Sequence, residues 1–404
     1  MARVFTRLVP ESGRLACTGG AALIDVLIVG GGPSGLALAL MLLRSGFAVR
    51  VLEARNQVGG HSRAIGIHPP GLAVLDRLGV GQDLVEQGIR ISRGVGMSRR
   101  RVIAELDFSS LPVLHPFVLS LPQDRTVQRL RDRLCEVDGE ALMGGVEFQR
   151  FTSRPDHHRV WACSADGESR ELECRILIGA DGSHSPLREA AGIRRTGQTH
   201  PDHYVMGDYF DSTGFGPVAA LFLHPEGIVE SFPLPGGVRR WVARVGKEDR
   251  GDLAVLVARR TGHRLDPASN SMHSRFRTSS YLVDRMNHGR IVLIGDAAHE
   301  ISPIGGQGMT LGLLDAEELA PLLALAVNGR LPGEQFNGIL DRFSSRRMAA
   351  ARTAARQARI NMVLGRPLGP SFIPLRDALA SRAFASERFS ASVARTFTMS
   401  NTAR

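Results

Sequence analysis

The chain has 404 residues, of which 43% are hydrophobic, so it can bury a sizeable core and is not a disordered protein. Its net charge of +10 comes almost entirely from arginines that are spread out without any nucleic-acid-binding motif, which argues against a nucleic-acid partner. The four cysteines match no metal-site spacing and no apolar run approaches the ~18 residues of a membrane span, so we expect a cytoplasmic protein without metal or transmembrane segment.

The chain opens with a segment, residues 1–22, in which arginines and a Pro-Glu pair interrupt any apolar run. We predict a loose N-terminal extension rather than a signal peptide. The segment that follows has the pattern strand, turn, helix, strand, with strands over 23–29 and 48–52 and a uniformly apolar helix over 34–43. Such a helix is buried against a sheet, and the right-handed crossover makes the two strands parallel.

A glycine motif, Gly30-x-Gly32-x-x-Gly35, occupies the turn before this helix. It supplies a tight turn, close approach to a pyrophosphate and helix–sheet packing, and the helix N-terminus then faces the phosphates. Glu53 ends the second strand, where it can accept hydrogen bonds from a ribose and disfavours a 2′-phosphate, so the nucleotide is FAD or NAD rather than NADP. The residues that we predict to bind the cofactor here are Gly30, Gly32, Pro33, Ser34, Gly35, Glu53, Ala54 and Arg55.

Two later segments also place a carboxylate just after an apolar strand. Residues 175–192 contain Asp181 and Gly182, and residues 291–316 contain Gly295 and Asp296. Because ligands of open α/β sheets bind at the carboxyl ends of the strands, we expect these features to converge on one molecule.

The segment after Asp296 distinguishes between the two nucleotides. A loop with three glycines leads into a helix from about Met309, so backbone N–H groups and the positive end of the helix can approach a flat ring. An isoalloxazine that becomes anionic on reduction needs this arrangement, whereas NAD does not. The alternative, a capping Asp before a surface loop, explains Asp296 but not the glycines together with Pro303 and Gln307. We therefore predict FAD, bound here by Gly295, Asp296, Gly306, Gln307, Gly308 and Met309.

Between these motifs the pattern changes to short strands over 94–123 and an antiparallel meander over 218–246. The predicted fold class is α/β, with a Rossmann-like FAD-binding domain, an inserted antiparallel-sheet substrate domain and a helical C-terminus. The boundaries that we expect are residues 23–87, 122–195 and 280–336 for the FAD-binding domain, residues 88–121 and 196–279 for the substrate domain, and residues 337–404 for the C-terminal helices.

Over residues 23–325 the sequence resembles the single-component aromatic hydroxylases, which are FAD-dependent monooxygenases similar to p-hydroxybenzoate hydroxylase and to the ubiquinone-biosynthesis hydroxylases. Besides the glycine motif and Glu53, the resemblance rests on "SRAIGIHPPGLAVLDRLGV" (62–80), "LPQDRTVQRLRDRL" (121–134), "GADGSHSPLR" (179–188) and "GDAAHEISPIGGQG" (295–308).

The resemblance implies roles for individual residues. Arg63 and Gln123 would contact the cofactor, and Asp181 would belong to a motif that serves both FAD and the nicotinamide donor. Asp296 would bind the ribityl chain, and Gly306 and Gly308 would line the flavin. Pro303 would shape the place where oxygen is activated, and the predicted catalytic residues are Arg63, Pro303 and Gly305.

The implied activity is hydroxylation of an aromatic or polyketide-like small molecule by FAD, NADH or NADPH, and molecular oxygen, through a flavin hydroperoxide. A second Gly-x-Gly-x-x-Gly unit is absent, so we expect the nicotinamide to dock transiently on a monomer or homodimer. Two alternatives stay open, namely an FAD-dependent reductase of a prenyl-lipid type substrate and a non-catalytic prenyl-binding carrier of the same fold.

Several other polar residues receive a structural interpretation. We expect His299 to pack the loop after Asp296, and His157-His158 to lie in a solvated loop. Arg239 or Arg240 could guide an anionic ligand, but their position in the meander favours a solvated edge.

Overall fold

The structure is a computed structural model that describes residues 23–59, 64–247, 251–327 and 333–400. In these ranges the strands are β1 (Ile24–Val29), β2 (Val49–Glu53), β3 (Gly66–Ile67), β4 (Ile89–Ile91), β5 (Arg93–Ser98), β6 (Arg101–Asp107), β7 (Val118–Ser120), β8 (Leu142–Gly144), β9 (Val146–Ser153), β10 (His158–Ser164), β11 (Ser169–Gly179), β12 (Arg195–Phe210), β13 (Val218–Phe222), β14 (Val229–Leu234), β15 (Val238–Val245), β16 (Met272–Val283), β17 (Asn287–His288), β18 (Ile291–Leu293) and β19 (His299–Glu300). The α-helices are α1 (Pro33–Arg44), α2 (Pro69–Arg77), α3 (Gly81–Gln87), α4 (Gln123–Val137), α5 (Pro186–Ala190), α6 (Leu253–Thr261), α7 (Gly308–Val327), α8 (Gly333–Leu364), α9 (Ile373–Phe384) and α10 (Glu387–Phe397).

The first sheet has the strand order β17-β18-β11-β1-β2-β8. β1 pairs in parallel with β2 and β11, and β11 pairs in parallel with β18, which confirms the parallel arrangement predicted for the strands around α1. The largely buried helix α1 contacts α4 and α7 on one side of this sheet, where most of the core lies. The carboxyl ends of four neighbouring strands consequently meet at one edge of the sheet.

Two parts of this half of the molecule were not predicted. β9 and β10 form an antiparallel hairpin that extends the first sheet by pairing with the long strand β11. β3, β7 and β4 form a separate three-stranded sheet. β9 loses its alternation of buried and exposed residues after Phe148. β10 alternates buried and half-buried residues, but its sequence begins with His158-Arg159 and then runs through four apolar residues, so it lacks the alternation of polar and apolar types that marks a half-buried strand.

The second sheet has the order β19-β16-β12-β15-β14-β13-β5-β6. The predicted antiparallel meander is confirmed as β13, β14 and β15, and the one parallel pair, β13 with β5, brings in the earlier segment of the chain. One face of the sheet packs on α6, with Val229, Trp241 and Ala243 among the buried residues. The opposite face turns toward the first sheet and the C-terminal helices.

The chain after the first sheet is helical, as predicted. α8 begins at Gly333, packs on α7 and then reaches β16 of the second sheet. α9 and α10 follow and contact β6 at the far edge of that sheet. Among the described residues, no helix is both long and apolar enough to cross a membrane.

Candidate functional site

A cavity of 1480 Å³ lies between the two sheets and the C-terminal helices. It runs from the carboxyl ends of β1, β2 and β11, past the start of α7, to the free face of the second sheet. Small-molecule sites usually occupy about 300–1,000 Å³, so this cavity has room for a dinucleotide and a second molecule together.

The glycine motif forms the floor of one end of the cavity. Gly30 has a φ of +109°, and a Cβ there would lie 2.3 Å from the carbonyl oxygen of Ala180. A Cβ on Gly35 would lie 2.1 Å from the carbonyl oxygen of Gly30, so Gly35 packs α1 on the sheet and does not itself line the cavity. Gly32, by contrast, faces open space, and Pro33 and Ser34 beside it line the cavity. The backbone at the start of α1 is therefore free to receive phosphate oxygens.

Glu53 stands at the end of β2 on the same wall. Its Oε2 accepts a hydrogen bond of 2.8 Å from the Gly31 N–H, and its Oε1 accepts one of 3.1 Å from the Arg55 N–H. Ala54 and Arg55 also line the cavity. Oε1 also accepts a hydrogen bond of 3.2 Å from Arg55 Nε, whereas Oε2 keeps a second acceptor position that a hydroxyl group of a ligand can occupy.

Asp181 follows β11 on the adjoining wall, together with Gly182. Its Oδ2 accepts a hydrogen bond from the Leu187 N–H, while its Oδ1 is buried without a partner among the described residues. Burial raises the pKa of this carboxyl group. A buried acceptor without a donor is costly, and a ligand in the cavity could supply the donor.

Asp296 lies in a turn of 3-10 helix, Gly295–Ala297, that follows β18. Its side chain is exposed to the cavity, and no described residue donates a hydrogen bond to it. Because the cavity is deep inside the protein, burial raises the pKa of the Asp296 carboxyl group. The hydroxyl groups of a bound polyol would stabilise its charged form.

A buried ion-pair network of Asp315, His299 and Arg347, none of which lines the cavity, holds this turn in place. Asp315 on α7 accepts hydrogen bonds from the Gly295 N–H at 2.9 Å, from His299 Nε2 at 2.6 Å and from Arg347 Nε at 2.6 Å. Burial lowers the pKa of His299, but the charge and hydrogen bond of Asp315 outweigh it and the net direction is upward. Burial raises the pKa of Asp315, and His299 and Arg347 reverse that, so it lies well below its usual range. His299 therefore has the structural role that the sequence predicts, and Arg347 was missed.

The glycine loop borders the middle of the cavity. Pro303, Gly305, Gly306, Gly308 and Met309 line it, and α7 begins at Gly308, so the N-terminus of this helix lies at the cavity. Gly306 has a φ of +67°, which disfavours other residues.

Two side chains hold this loop in place, His68, which itself lines the cavity, and Gln307. His68 Nε2 donates to the Gly305 carbonyl oxygen at 3.0 Å, and burial lowers the pKa of His68 to about 4, so its ring is neutral at pH 7. Gln307 does not line the cavity, because its amide donates to the Phe397 carbonyl oxygen at 3.3 Å and thereby connects the loop to α10.

Two predicted site residues remain, Gln123 and Arg63. Gln123, at the start of α4, lines the cavity. Arg63 lies outside the described residues, so its predicted role stays a prediction. Among the described residues, no cluster of three His, Cys, Asp or Glu could hold a metal ion.

The far end of the cavity is an apolar chamber between the second sheet and the C-terminal helices. From the sheet it is lined by Met206, Ala219, Leu221, Glu230, Phe232, Arg240 and Val242. From α8, α9 and α10 it is lined by Ile360, Val363, Leu364, Leu375, Leu379, Phe384, Phe389, Val393 and Phe397. Several of these helical side chains remain more than half exposed, including Leu364 (62%) and Leu379 (60%), so a ligand in the chamber would cover apolar surface.

Two sequence predictions about polar residues are wrong. Arg239 and Arg240 do not form a solvated edge but are 0% and 3% exposed, because both faces of the meander are covered. Arg239 binds Asp211 on the α6 side, whereas Arg240 forms a two-point ion pair with Asp208 and lines the chamber. His158 is not in a solvated loop but begins β10 and is 5% exposed.

A cavity at the carboxyl ends of parallel strands, with a glycine motif at the start of the following helix, is typical of α/β proteins that bind a dinucleotide. The sequence model of the family described as "FAD binding domain" matches residues 23–358, and the chain belongs to this family.

The chain is similar to named members of the family. It is 33% identical over 86% of its length to 6-methylpretetramide 4-monooxygenase of Streptomyces rimosus, of which it spans 65%. The solved structure of OxyS anhydrotetracycline hydroxylase from Streptomyces rimosus matches this chain with a TM-score of 0.76 at 28% identity. The match includes 93% of this chain and 76% of the OxyS chain. The structure of p-nitrophenol 4-monooxygenase PnpA from Pseudomonas putida DLL-E4 matches with a TM-score of 0.83 at 22% identity. The match includes 93% of this chain and 98% of the PnpA chain, so the two proteins share a fold.

The residues present fit FAD. Gly32 leaves space where a pyrophosphate would lie, and Glu53 is available to a ribose. Asp296 has a carboxylate without a donor for a polyol chain. The start of α7 supplies N–H groups for the ring.

Proposed function

We propose that the protein is an FAD-dependent monooxygenase that uses NADH or NADPH and molecular oxygen to hydroxylate an aromatic or polyketide-like small molecule. The observation that carries this proposal is that one cavity contains both the predicted FAD-binding residues and an apolar chamber. A cofactor and an organic substrate can therefore meet without crossing solvent. The tetracycline-related names of the relatives support the same substrate class.

The residues that would hold FAD line the cavity from Glu53 to the glycine loop. Glu53 would accept the hydroxyl groups of the adenosine ribose, and the start of α1 would bind the pyrophosphate. Asp296 would accept hydroxyl groups of the ribityl chain, and the loop of Pro303, Gly305 and Gly306 would hold the isoalloxazine.

When bound, FAD supplies the redox chemistry, because it accepts a hydride from the nicotinamide and passes electrons to oxygen. The chain contributes the environment. The first turn of α7 directs its positive end to the ring and stabilises negative charge there. The apolar side chains of the chamber exclude water from the reacting atoms.

The substrate lies in the apolar chamber, with its flat rings against the helical side chains and its polar groups toward the second sheet. Leu375 and Leu379 of α9 and Phe232 of β14 offer apolar contacts on opposite sides. A chamber of this composition favours a multi-ring compound over a small charged acid.

Purified protein tests the proposal. We expect bound flavin in a one-to-one ratio, with NAD(P)H oxidation that requires oxygen and is accelerated by a phenolic multi-ring compound. Anaerobic reduction of a polyprenyl alkene at the same rate would favour the alternative reductase. Protein that binds no flavin and retains a prenyl lipid would favour the carrier.

A further inference from the structure

One acidic side chain of the chamber, Glu230, has no role in the predicted FAD site. We propose that Glu230 is a catalytic base that accepts the proton of a substrate hydroxyl group during hydroxylation. This inference rests on the proposed monooxygenase function and assigns one of its steps to a residue of the chain.

The strand geometry places Glu230 in the chamber. Along β14, Val229 and Ser231 are buried, Val229 in the core on the α6 side, while Glu230 and Phe232 line the chamber. Glu230 pairs across the strands with Val242, and its side chain is 7% exposed.

The surroundings of Glu230 connect it to the reacting end of the cavity. Val242 and Ile228 belong to the same apolar cluster as Ile304, which follows Pro303 in the glycine loop. The wall that carries the Glu230 carboxyl group therefore faces the loop that we expect to hold the flavin ring.

The Glu230 carboxyl group has no hydrogen-bond donor or ion-pair partner among the described residues. Two arginines flank its cross-strand partner Val242 on β15, and both are paired: Arg240 with Asp208 at 2.7 and 2.8 Å, and Arg244 with Asp202 at 3.0 Å. A buried carboxyl group without a donor is destabilising, so its presence in this wall calls for a partner in the cavity. A phenol or enol O–H group is the neutral donor that an aromatic or polyketide-like substrate offers.

Other charged and titratable groups around the chamber are already paired or neutral. Arg366 binds Asp202 at 2.8 Å, and Arg376 binds Asp377 at 2.8 Å. Burial lowers the pKa of His68. Burial is also the main cause that raises the pKa of Tyr204, and the charges of Glu230 and Asp202 add to this rise.

Burial also raises the pKa of Glu230 to about 7, so that a substantial fraction is ionised at neutral pH. A base with a pKa near the working pH combines availability with strength, which is what general-base catalysis requires. The two protonation states that Glu230 needs are therefore both accessible at neutral pH.

The proton transfer balances by itself: the substrate O–H bond breaks, its proton forms a new O–H bond on the Glu230 carboxylate, and the electron pair remains on the substrate oxygen, where it supports the ring against positive charge. The new C–O bond uses one oxygen atom of O2, whose O–O bond breaks as the electrons of NAD(P)H reduce the other atom to water. The ring carbon then loses its own C–H proton to solvent, and the proton on Glu230 returns to solvent after the product leaves.

The test compares holoenzyme of the wild type, Glu230→Gln and the exposed control Glu105→Gln on phenols of one to three fused rings and their methyl ethers. Under labelled oxygen we expect Glu230→Gln to lower product formation from the phenol by about 10²- to 10⁴-fold, the usual range for general-base catalysis. Flavin content and flavin reduction should be unchanged, and Glu105→Gln should resemble the wild type.

Two further readouts separate a base from a structural residue. The wild-type rate should rise with pH through about 7 and then level, because the carboxylate is the active form, and Glu230→Gln should lack this rise. The methyl ether has no proton to lose, so wild type and Glu230→Gln should oxidise it equally slowly.

An equal loss on phenol and methyl ether, or a wild-type rate for Glu230→Gln on the phenol, would overturn the assignment while leaving the monooxygenase intact. Absence of label in every wild-type product would instead overturn the proposed function, and this inference with it.

Discussion

Three of the carboxylates that line the cavity, those of Glu53, Asp296 and Glu230, differ in their partners. Glu53 accepts two backbone N–H groups, whereas Asp296 and Glu230 have no donor among the described residues. The protein therefore supplies part of the hydrogen bonding of Glu53, whereas Asp296 and Glu230 can obtain hydrogen-bond donors only from a molecule in the cavity. This difference predicts different consequences when each charge is removed.

The nucleotide end is tested by Glu53→Gln. The amide can still accept the Gly31 N–H, so the fold should persist, but a charge-assisted bond to the ribose is lost. We expect FAD binding to weaken by about 1–2 kcal/mol, or about 5- to 30-fold in Kd. Equilibrium dialysis measures this, and FMN, which lacks the adenosine, is the control. An equal loss for FMN and FAD would contradict the assignment.

The riboflavin end is tested by Asp296→Asn. Because the ribityl chain is common to FMN and FAD, this substitution should weaken both by about 1–3 kcal/mol. Thermal stability of the protein without flavin should not fall, since removal of a deep, unpartnered carboxyl group relieves a desolvation cost. Unchanged flavin affinity in Asp296→Asn would show that the carboxylate does not contact the cofactor.

At the scale of elements, α8 connects the C-terminal helices to the FAD site. Arg347 on α8 is 6% exposed, binds Asp315 on α7, and through it supports the Gly295 turn. The Arg-rich sequence of α8 gives no sign of this, because its arginines are spread over all faces of the helix.

Two adjacent arginines make a matched pair for testing this connection. Arg347→Leu leaves Asp315 with a buried, less compensated charge, and we expect a loss of about 3–5 kcal/mol in the free energy of unfolding. Arg346→Leu removes an ion pair to Glu318 whose arginine is 58% exposed, and should cost at most about 1 kcal/mol. Chemical denaturation measures both, and equal losses would exclude the buried network as a major source of stability.

The apolar face of α9 is tested by Leu379→Asn. Leu379 lines the chamber yet is 60% exposed, so the substitution should leave stability nearly unchanged. Loss of its contact with a bound multi-ring substrate should cost about 1 kcal/mol, or roughly a fivefold rise in KM. Leu114→Asn, at a residue that is 76% exposed and outside the cavity, is the control. A KM that stays constant in Leu379→Asn would place the substrate elsewhere.

The sequence predicts the parts of this site that depend on local constraints. At Gly30 and Gly35 other backbone atoms come so close that a side chain would not fit, and Asp296 comes just after a buried strand. Short sequence motifs therefore reveal these residues. Glu230 and Arg240 could not be placed, because their environment is created by sheet pairing and by helices about 130 residues later in the chain. The same holds for Arg347, whose partner lies on another helix.

At the scale of the whole molecule, two mixed sheets, the first with a parallel centre, and the helices α8, α9 and α10 surround one cavity. In the proposed function, the first sheet would offer its strand ends to the cofactor and the second would offer a face to the substrate. This architecture favours a reaction in which the cofactor and the substrate meet in a place that excludes water.

Product analysis under labelled oxygen tests this account most directly. Holoenzyme supplied with NAD(P)H and phenolic multi-ring compounds in ¹⁸O₂ should yield a hydroxylated product that carries one labelled oxygen atom. Label found only in water or hydrogen peroxide for every compound, together with reduction of a polyprenyl alkene without oxygen, would contradict the monooxygenase function.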